Sequence, residues 1–64
     1  MEEYSLVGVD GNAFAVMGYV RRAMRTEGKS IDEQNAYTED AMSGDYDSLL
    51  NKSMEVLDEL NGES

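Results

Sequence analysis

The 64-residue chain contains no cysteine, no histidine and no proline. Without cysteine it can form neither a disulfide nor a thiolate site. Without histidine it lacks the commonest metal ligand and the commonest general base. No apolar run reaches the roughly 18 residues of a membrane span, and the acidic residues 1–6 do not resemble a signal peptide. We therefore expect a cytoplasmic protein that is not an enzyme and has no catalytic residues, cofactor, metal site or membrane contact.

Basic side chains are also few, and the formal net charge is −9. Residues 1–31 carry four acidic and four basic side chains, whereas residues 32–64 carry ten acidic side chains and one base, Lys52. This sign argues against direct binding to nucleic acid, which requires Lys and Arg to displace counterions, and against anionic membranes. The charge pattern favours a basic partner instead.

The clearest periodic segment covers residues 12–27, which we predict to form the central helix. Asn12 is a good N-cap, and Gly28 stands where a left-handed C-cap residue belongs. One helical face collects Ala13, Val16, Met17, Val20, Ala23 and Met24, and we expect Phe14 to widen it. The opposite side carries Arg21, Arg22 and Arg25. They could pair with Glu27 and the second helix, or form the basic rim of a mixed interface.

Two further helices are predicted after this segment. Ser30 and Glu33 have the spacing of a capping box, which starts a helix over residues 31–42 with Gly44 as its C-cap. Its thin inner face comprises Ile31, Tyr37 or Thr38, Ala41 and Met42. Asp45 caps a third helix over residues 46–61, which Gly62 ends. The apolar face of that helix comprises Tyr46, Leu49, Leu50, Ser53, Val56 or Leu57, and Leu60.

Residues 4–9 are rich in β-forming side chains and are predicted to form a short strand before the turn at Asp10 and Gly11. A lone strand must satisfy its backbone polar groups. It could pack on the helices with water as partner, pair with its twin in a homodimer, or add to the sheet edge of a partner. We expect pairing of some kind, because an open apolar edge is a liability. The predicted fold is thus mainly α (α+β), one domain over residues 1–64 with this strand followed by three helices.

Three short motifs imitate known ligand sites and fail on spacing. The segment from Gly8 to Asn12 lacks the third glycine of a dinucleotide-binding loop. Gly28, Lys29 and Ser30 follow a helix and lack the upstream glycine of a phosphate-binding loop. The pair Asp45 and Asp47 lacks the glycine and the glutamate that a calcium-binding EF-hand loop requires.

The remaining candidate site is an acidic surface on the second and third helices. Its members are Asp32, Glu33, Glu39, Asp40, Asp45, Asp47, Glu55, Asp58 and Glu59. Roughly ten carboxylates over about 25 Å of helix give a charge density comparable with that of duplex DNA. Such a surface could occupy a basic nucleic-acid channel, although an ordinary solvated acidic face has the same composition.

The strings YSLVGVDGNAFAVMGYVRRAMRTEG and AMSGDYDSLL resemble short proteins carried by bacterial phages and conjugative elements. The similarity extends from Tyr4 to about Leu60 and is strongest at residues 9–13 and 43–46. It implies a bacterial host cell but no activity or site residue. In size and acidity the chain is also similar to small phage anti-CRISPR proteins, some of which are acidic mimics of DNA.

Charge and resemblance together lead to one main hypothesis and two alternatives. The main hypothesis is a phage or mobile-element inhibitor that blocks the basic nucleic-acid groove of a host defence complex such as a CRISPR effector. The first alternative is a small structural or interaction module that uses the segment of residues 4–9, with acidity serving solubility. The second is a regulator that binds a basic transcription factor.

Overall fold

The computed structural model describes residues 3–62, which form three helices. Helix α1 comprises Ala13–Thr26, α2 comprises Ile31–Met42 and α3 comprises Tyr46–Gly62. All three pack against one another around a single apolar core. The expected three-helix arrangement is confirmed. No β-strand occurs within residues 3–62, so the α+β assignment and the strand predicted for residues 4–9 are wrong.

Side chains of α1 and α3 replace the strand partner that residues 4–9 were expected to need. The Asn61 side-chain oxygen accepts a hydrogen bond from the Tyr4 backbone N–H at 2.8 Å, and the Asn61 amide donates to the Tyr4 carbonyl at 3.0 Å. The Ser5 backbone N–H donates to the Tyr19 hydroxyl at 3.0 Å. These hydrogen bonds hold the segment against the helices, so its backbone does not form an open strand edge.

A tight turn follows at residues 6–9. The Val9 N–H donates to the Leu6 carbonyl at 3.0 Å. Gly8, the third residue of the turn, adopts a φ of +84° while Val7 does not have a positive φ, as in a type II turn. The Val7 N–H donates to the Ser5 hydroxyl at 3.1 Å. The turn and this local bond occupy the donors that a continuing strand would offer to a neighbour.

Helix α1 supplies the largest share of the core, as its sequence pattern predicts. Its buried side chains are Val16, Met17, Val20, Ala23 and Met24. Helices α2 and α3 add Tyr37, Ala41, Leu49, Val56, Leu57 and Leu60. Several predicted core-facing residues lie outside: Phe14 is 75% exposed, Ile31 62% and Met42 61%. Gln34 of α2 is buried although it was not predicted to face the core, whereas Ser53 of α3 is buried as predicted. Helix α2 therefore faces the core along a different strip from the one that its apolar residues suggest.

The helix ends follow local sequence signals, with one exception. Asn12 accepts from the Phe14 N–H, and Ser30 and Glu33 form the predicted reciprocal capping box. Gly28 has a φ of +86°. By contrast, α2 ends at Ser43 in a right-handed conformation, and Gly44 is not left-handed. A Cβ at Gly44 would lie 2.9 Å from the Ser48 Cβ, so this position needs glycine for close approach and not for a C-cap.

Candidate acidic interface

All nine predicted acidic site residues are exposed. They fall into rows that the helical repeat defines, since positions seven apart share a face after two turns and positions eleven apart do so after three. On α2, Asp32 aligns with Glu39, and Glu33 aligns with Asp40. On α3, Lys52, Glu55 and Glu59 form one row. Asp47 and Asp58 form another.

Two contacts fix how α2 and α3 face each other. The Tyr37 and Ser53 hydroxyls share a buried hydrogen bond of 2.6 Å, and the Lys52 ammonium lies 3.6 Å from the Asp40 carboxylate. Moving forward along α2 from Tyr37 to Asp40 corresponds to moving backward along α3 from Ser53 to Lys52. The two helices therefore run antiparallel. The row of Glu33 and Asp40 therefore borders the row of Lys52, Glu55 and Glu59.

This register creates a continuous acidic face. It comprises Asp32, Glu33, Glu39 and Asp40 from α2, and Glu55 and Glu59 from α3. Lys52 lies between the two helices, 3.6 Å from Asp40 and 4.0 Å from Glu55. Glu33 lies two turns before Asp40 on α2, and Glu59 lies two turns after Lys52 on α3. The antiparallel register therefore places Glu33 opposite Glu59.

The remaining three predicted residues do not belong to this face. Asp45 is the N-cap of α3, where its carboxylate accepts from the Ser48 N–H at 2.9 Å. That backbone hydrogen bond, with a smaller contribution from the Ser48 side chain, holds the pKa of Asp45 below its usual value. Asp47 and Asp58 lie on the flank of α3 nearer the N-terminal segment, and Asp58 lines a shallow groove there with Val7.

The arginines of α1 divide between a structural and a surface position. The Arg21 guanidinium donates to the Gln34 carbonyl at 3.2 Å, to the Asn35 side-chain oxygen at 3.2 Å and to the Thr38 hydroxyl at 2.6 Å. It therefore ties α1 to α2 through neutral oxygens. Arg22 and Arg25 are exposed and line a depression between α1 and α2, together with Ile31 and Gln34.

Glu27 was one of the partners suggested for the arginines of α1, but it binds Tyr4 instead. Its carboxylate accepts a hydrogen bond from the Tyr4 hydroxyl at 2.6 Å. That hydrogen bond is the main reason why the pKa of Tyr4 is raised. Glu27 thus helps to hold the N-terminal segment against α1.

Sequence reasoning missed a second surface feature at the opposite end of α2. Phe14, Met42 and Tyr46 surround an apolar depression and are themselves exposed. We assigned all three to core faces from their periodicity. Their position at the margin of each apolar stripe was the feature of the sequence that could have indicated exposure, because a side chain there can point either to the core or to solvent.

Residues 3–62 contain no group of three or more acidic, histidine or cysteine side chains placed to hold a metal ion. Within the same residues, no helix has the length and apolar character needed to cross a membrane.

Comparison of the chain with protein-family models, curated proteins and solved structures found no match.

Proposed function

We propose that this protein is an inhibitor that binds the basic groove of a nucleic-acid-binding protein through its acidic face and thereby excludes the nucleic acid. One observation carries the proposal: all nine predicted carboxylates are exposed, and six of them lie in neighbouring rows of α2 and α3, next to Lys52. Folding does not require such a concentration of like charge, because self-repulsion weakens the compact state.

The spacing of charge suits a basic groove that binds nucleic acid. Helix α3 has 17 residues and is ~25 Å long at the usual helical rise. After subtraction of Lys52, the six carboxylates of the acidic face give about one net charge per 5 Å. A single strand of DNA carries one charge per ~3.4 Å. The charge density of the acidic face is therefore within a factor of about two of that of one strand.

The proposed target is a host defence complex, with a CRISPR effector as the first to test. The charge pattern supports a basic partner. A basic transcription factor would use the same acidic face, so the identity of the captured protein separates these two targets.

The strand-mediated alternative loses its structural basis. Tyr4 and Ser5 already use their backbone groups to bind Asn61 and Tyr19. Val9 donates within its own turn. Strand addition would require these bonds to break first.

The test is affinity capture from bacterial lysate with two matched variants. The acidic-face variant combines Asp32→Asn, Glu39→Gln, Glu55→Gln and Glu59→Gln, which leaves the Glu33 capping box and the Asp40 ion pair in place. The control combines Glu3→Gln, Asp10→Asn, Asp47→Asn and Asp58→Asn. Both variants lose four negative charges, but only the first loses them from the acidic face.

The proposal expects the native protein and the control to retain a nucleic-acid-binding complex, which high salt and a DNA oligonucleotide both release. The acidic-face variant should retain little of it. Retention by all three proteins to the same extent would contradict the proposal. Equal loss from both variants would show that total charge, and not this face, determines binding.

A further inference from the structure

A separate apolar groove lies between the start of α1 and the loop that joins α2 to α3. Its volume is about 240 Å³, and buried Met17 and Leu49 form part of its lining. Around it stand Phe14, 75% exposed, Met42, 61% exposed, and Tyr46, 43% exposed. Isolated exposed apolar residues are common, but a contiguous group around one depression indicates an interaction site.

The groove combines a fixed wall with an adaptable one. The Tyr46 hydroxyl donates a hydrogen bond to the Gly11 carbonyl, which joins the start of α3 to the loop before α1. Met42 has no such restraint, and its flexible thioether side chain can adjust to different apolar partners. This combination is suited to a protruding side chain of a partner.

Acidic residues border the groove. Asp45 lines it, Asp47 follows Tyr46 in the first turn of α3, and Asp10 precedes Gly11, the residue bonded to Tyr46. Among residues 3–62, no lysine or arginine lines the groove. An apolar surface with a negative border is complementary to an apolar surface with positive flanks.

This charge pattern selects one class of occupant. A symmetric dimer would place the same patch of each copy against the other, so the acidic borders would repel. The volume is below the roughly 300 Å³ of typical small-molecule sites, which suits one or two anchoring side chains. An amphipathic helix supplies such anchors at intervals of three and four residues.

We propose that this groove binds an amphipathic helix whose apolar face inserts between Phe14, Met42 and Tyr46 and whose flanks carry lysine or arginine. The inference goes beyond the proposed function and does not depend on it, because the groove can bind such a helix whether or not the acidic face blocks a nucleic-acid channel.

The test uses synthetic helical peptides as probes. The first peptide has leucine at alternating intervals of three and four residues and lysine elsewhere. The second replaces lysine with glutamate, and the third has the composition of the first in scrambled order. Binding is measured by calorimetry, and amide chemical shifts locate the contact on the protein.

Four protein variants accompany the native chain, one of which combines Phe14→Ala with Met42→Ala. Phe14→Ala and Met42→Ala each remove one exposed wall of the groove. Met54→Ala is the control, because Met54 is 48% exposed but lines a different depression beside Val7. Since all three side chains are largely exposed, thermal melts should show that each variant remains folded.

The proposal expects the first peptide to shift the amides of Phe14, Met42 and Tyr46 and to bind best. Phe14→Ala combined with Met42→Ala should weaken it at least about tenfold, as for an interface anchor, whereas Met54→Ala should not. Equal binding of the glutamate or scrambled peptide, or unchanged binding by the groove variants, would overturn it. So would a native dimer that Phe14→Ala dissociates, because a second copy would then occupy the groove. The assay contains no nucleic-acid-binding protein, so its outcome is independent of the capture experiment.

Discussion

The Asn61 carboxamide near the end of α3 binds both backbone polar groups of Tyr4, accepting from its N–H at 2.8 Å and donating to its carbonyl at 3.0 Å. A neighbouring β-strand would make the same pair of bonds. One side chain therefore anchors the N-terminal segment to a residue 57 positions away in sequence and removes the need for a strand partner.

Replacement of Asn61 should release this segment. Asn61→Asp keeps an acceptor for the Tyr4 N–H but places a carboxylate against the Tyr4 carbonyl, while Asn61→Ala removes both bonds. We expect Asn61→Ala to lower the free energy of unfolding by about 1–2 kcal/mol, a typical net value for two hydrogen bonds. Hydrogen exchange should accelerate at Tyr4 and Ser5 in both variants. Unchanged exchange at these two amides would contradict the anchoring role.

The strand prediction failed because a local sequence pattern contains no information on long-range hydrogen-bond partners. The composition of residues 4–9 is β-like, but whether the segment pairs depends on which donors and acceptors the fold brings beside it. Asn61 and Tyr19 are distant in sequence, and nothing in the local pattern indicates that they meet Tyr4 and Ser5.

Arg21 should contribute to the free energy of unfolding through hydrogen bonds to α2, whereas its neighbour Arg22 should not. Its guanidinium joins α1 to α2 through the Gln34 carbonyl and the Asn35 and Thr38 side chains. Arg21→Ala should cost about 1–2 kcal/mol, in the lower range for charge-assisted bonds, as measured by urea denaturation. Arg21→Lys should recover little, because an ammonium cannot reproduce the planar donor arrangement. Arg22→Ala, at an exposed position, serves as the control and should change stability by less than about 0.5 kcal/mol.

Equal effects of Arg21→Ala and Arg22→Ala would show that the hydrogen bonds of Arg21 add nothing to the contact between α1 and α2.

The Tyr37 and Ser53 hydroxyls form the polar contact inside the core, at 2.6 Å. Burial raises the pKa of Tyr37, although the hydrogen bond shared with Ser53 opposes this effect. Tyr37→Phe leaves the buried Ser53 hydroxyl without its partner, and Ser53→Ala leaves the Tyr37 hydroxyl in the same condition. Each should cost about 1–3 kcal/mol, the penalty for a buried unsatisfied group.

The double variant provides the check on this pair. Combining Tyr37→Phe with Ser53→Ala leaves no orphaned hydroxyl, so its loss of stability should be smaller than the sum of the single losses by about 1 kcal/mol. Strict additivity in chemical denaturation would show that the two hydroxyls do not interact.

Asp45 should make stability depend on acid pH. Its pKa is lower in the folded chain than in the unfolded chain because the Ser48 N–H binds the carboxylate. Folding therefore gains from the charged form above the unfolded pKa, near 3.9, and this gain disappears as pH falls through the lower folded value. Asp45→Asn retains an N-cap acceptor but cannot titrate, so its melting temperature should fall less between about pH 5 and pH 2. Parallel acid profiles for the two proteins would contradict this account.

The helix ends and the core were more accessible to sequence analysis than the surface. The capping box of Ser30 and Glu33 depends on residues three positions apart, and the α1 stripe depends on spacing alone, so both were predicted correctly. Phe14 and Met42 lie at the margins of their stripes, where the packing angle between helices decides exposure. That angle follows from contacts such as Tyr37 with Ser53, which local patterns do not specify.

For the acidic residues, too, the sequence identifies the side chains but not their arrangement. Composition identified all nine carboxylates and the local sequence correctly predicted Asp45 as the N-cap of α3, but neither showed that Asp47 lies on another flank of α3. The register that places Glu33 opposite Glu59 follows from the antiparallel contact between Asp40 and Lys52, a pair that sequence alone does not join.

The most direct test of the central claim is a competition experiment on the nucleic-acid-binding complex that the native protein captures. Fluorescence anisotropy of a labelled DNA oligonucleotide on that complex should fall as native protein is added, with steep salt dependence. Neutralising Asp32, Glu39, Glu55 and Glu59 together should weaken competition at least about tenfold, whereas one such change should weaken it by about fivefold or less. The control with four charges removed elsewhere should compete almost as well as native protein. Failure of the native protein to displace DNA, or equal competition by the acidic-face variant, would contradict the account.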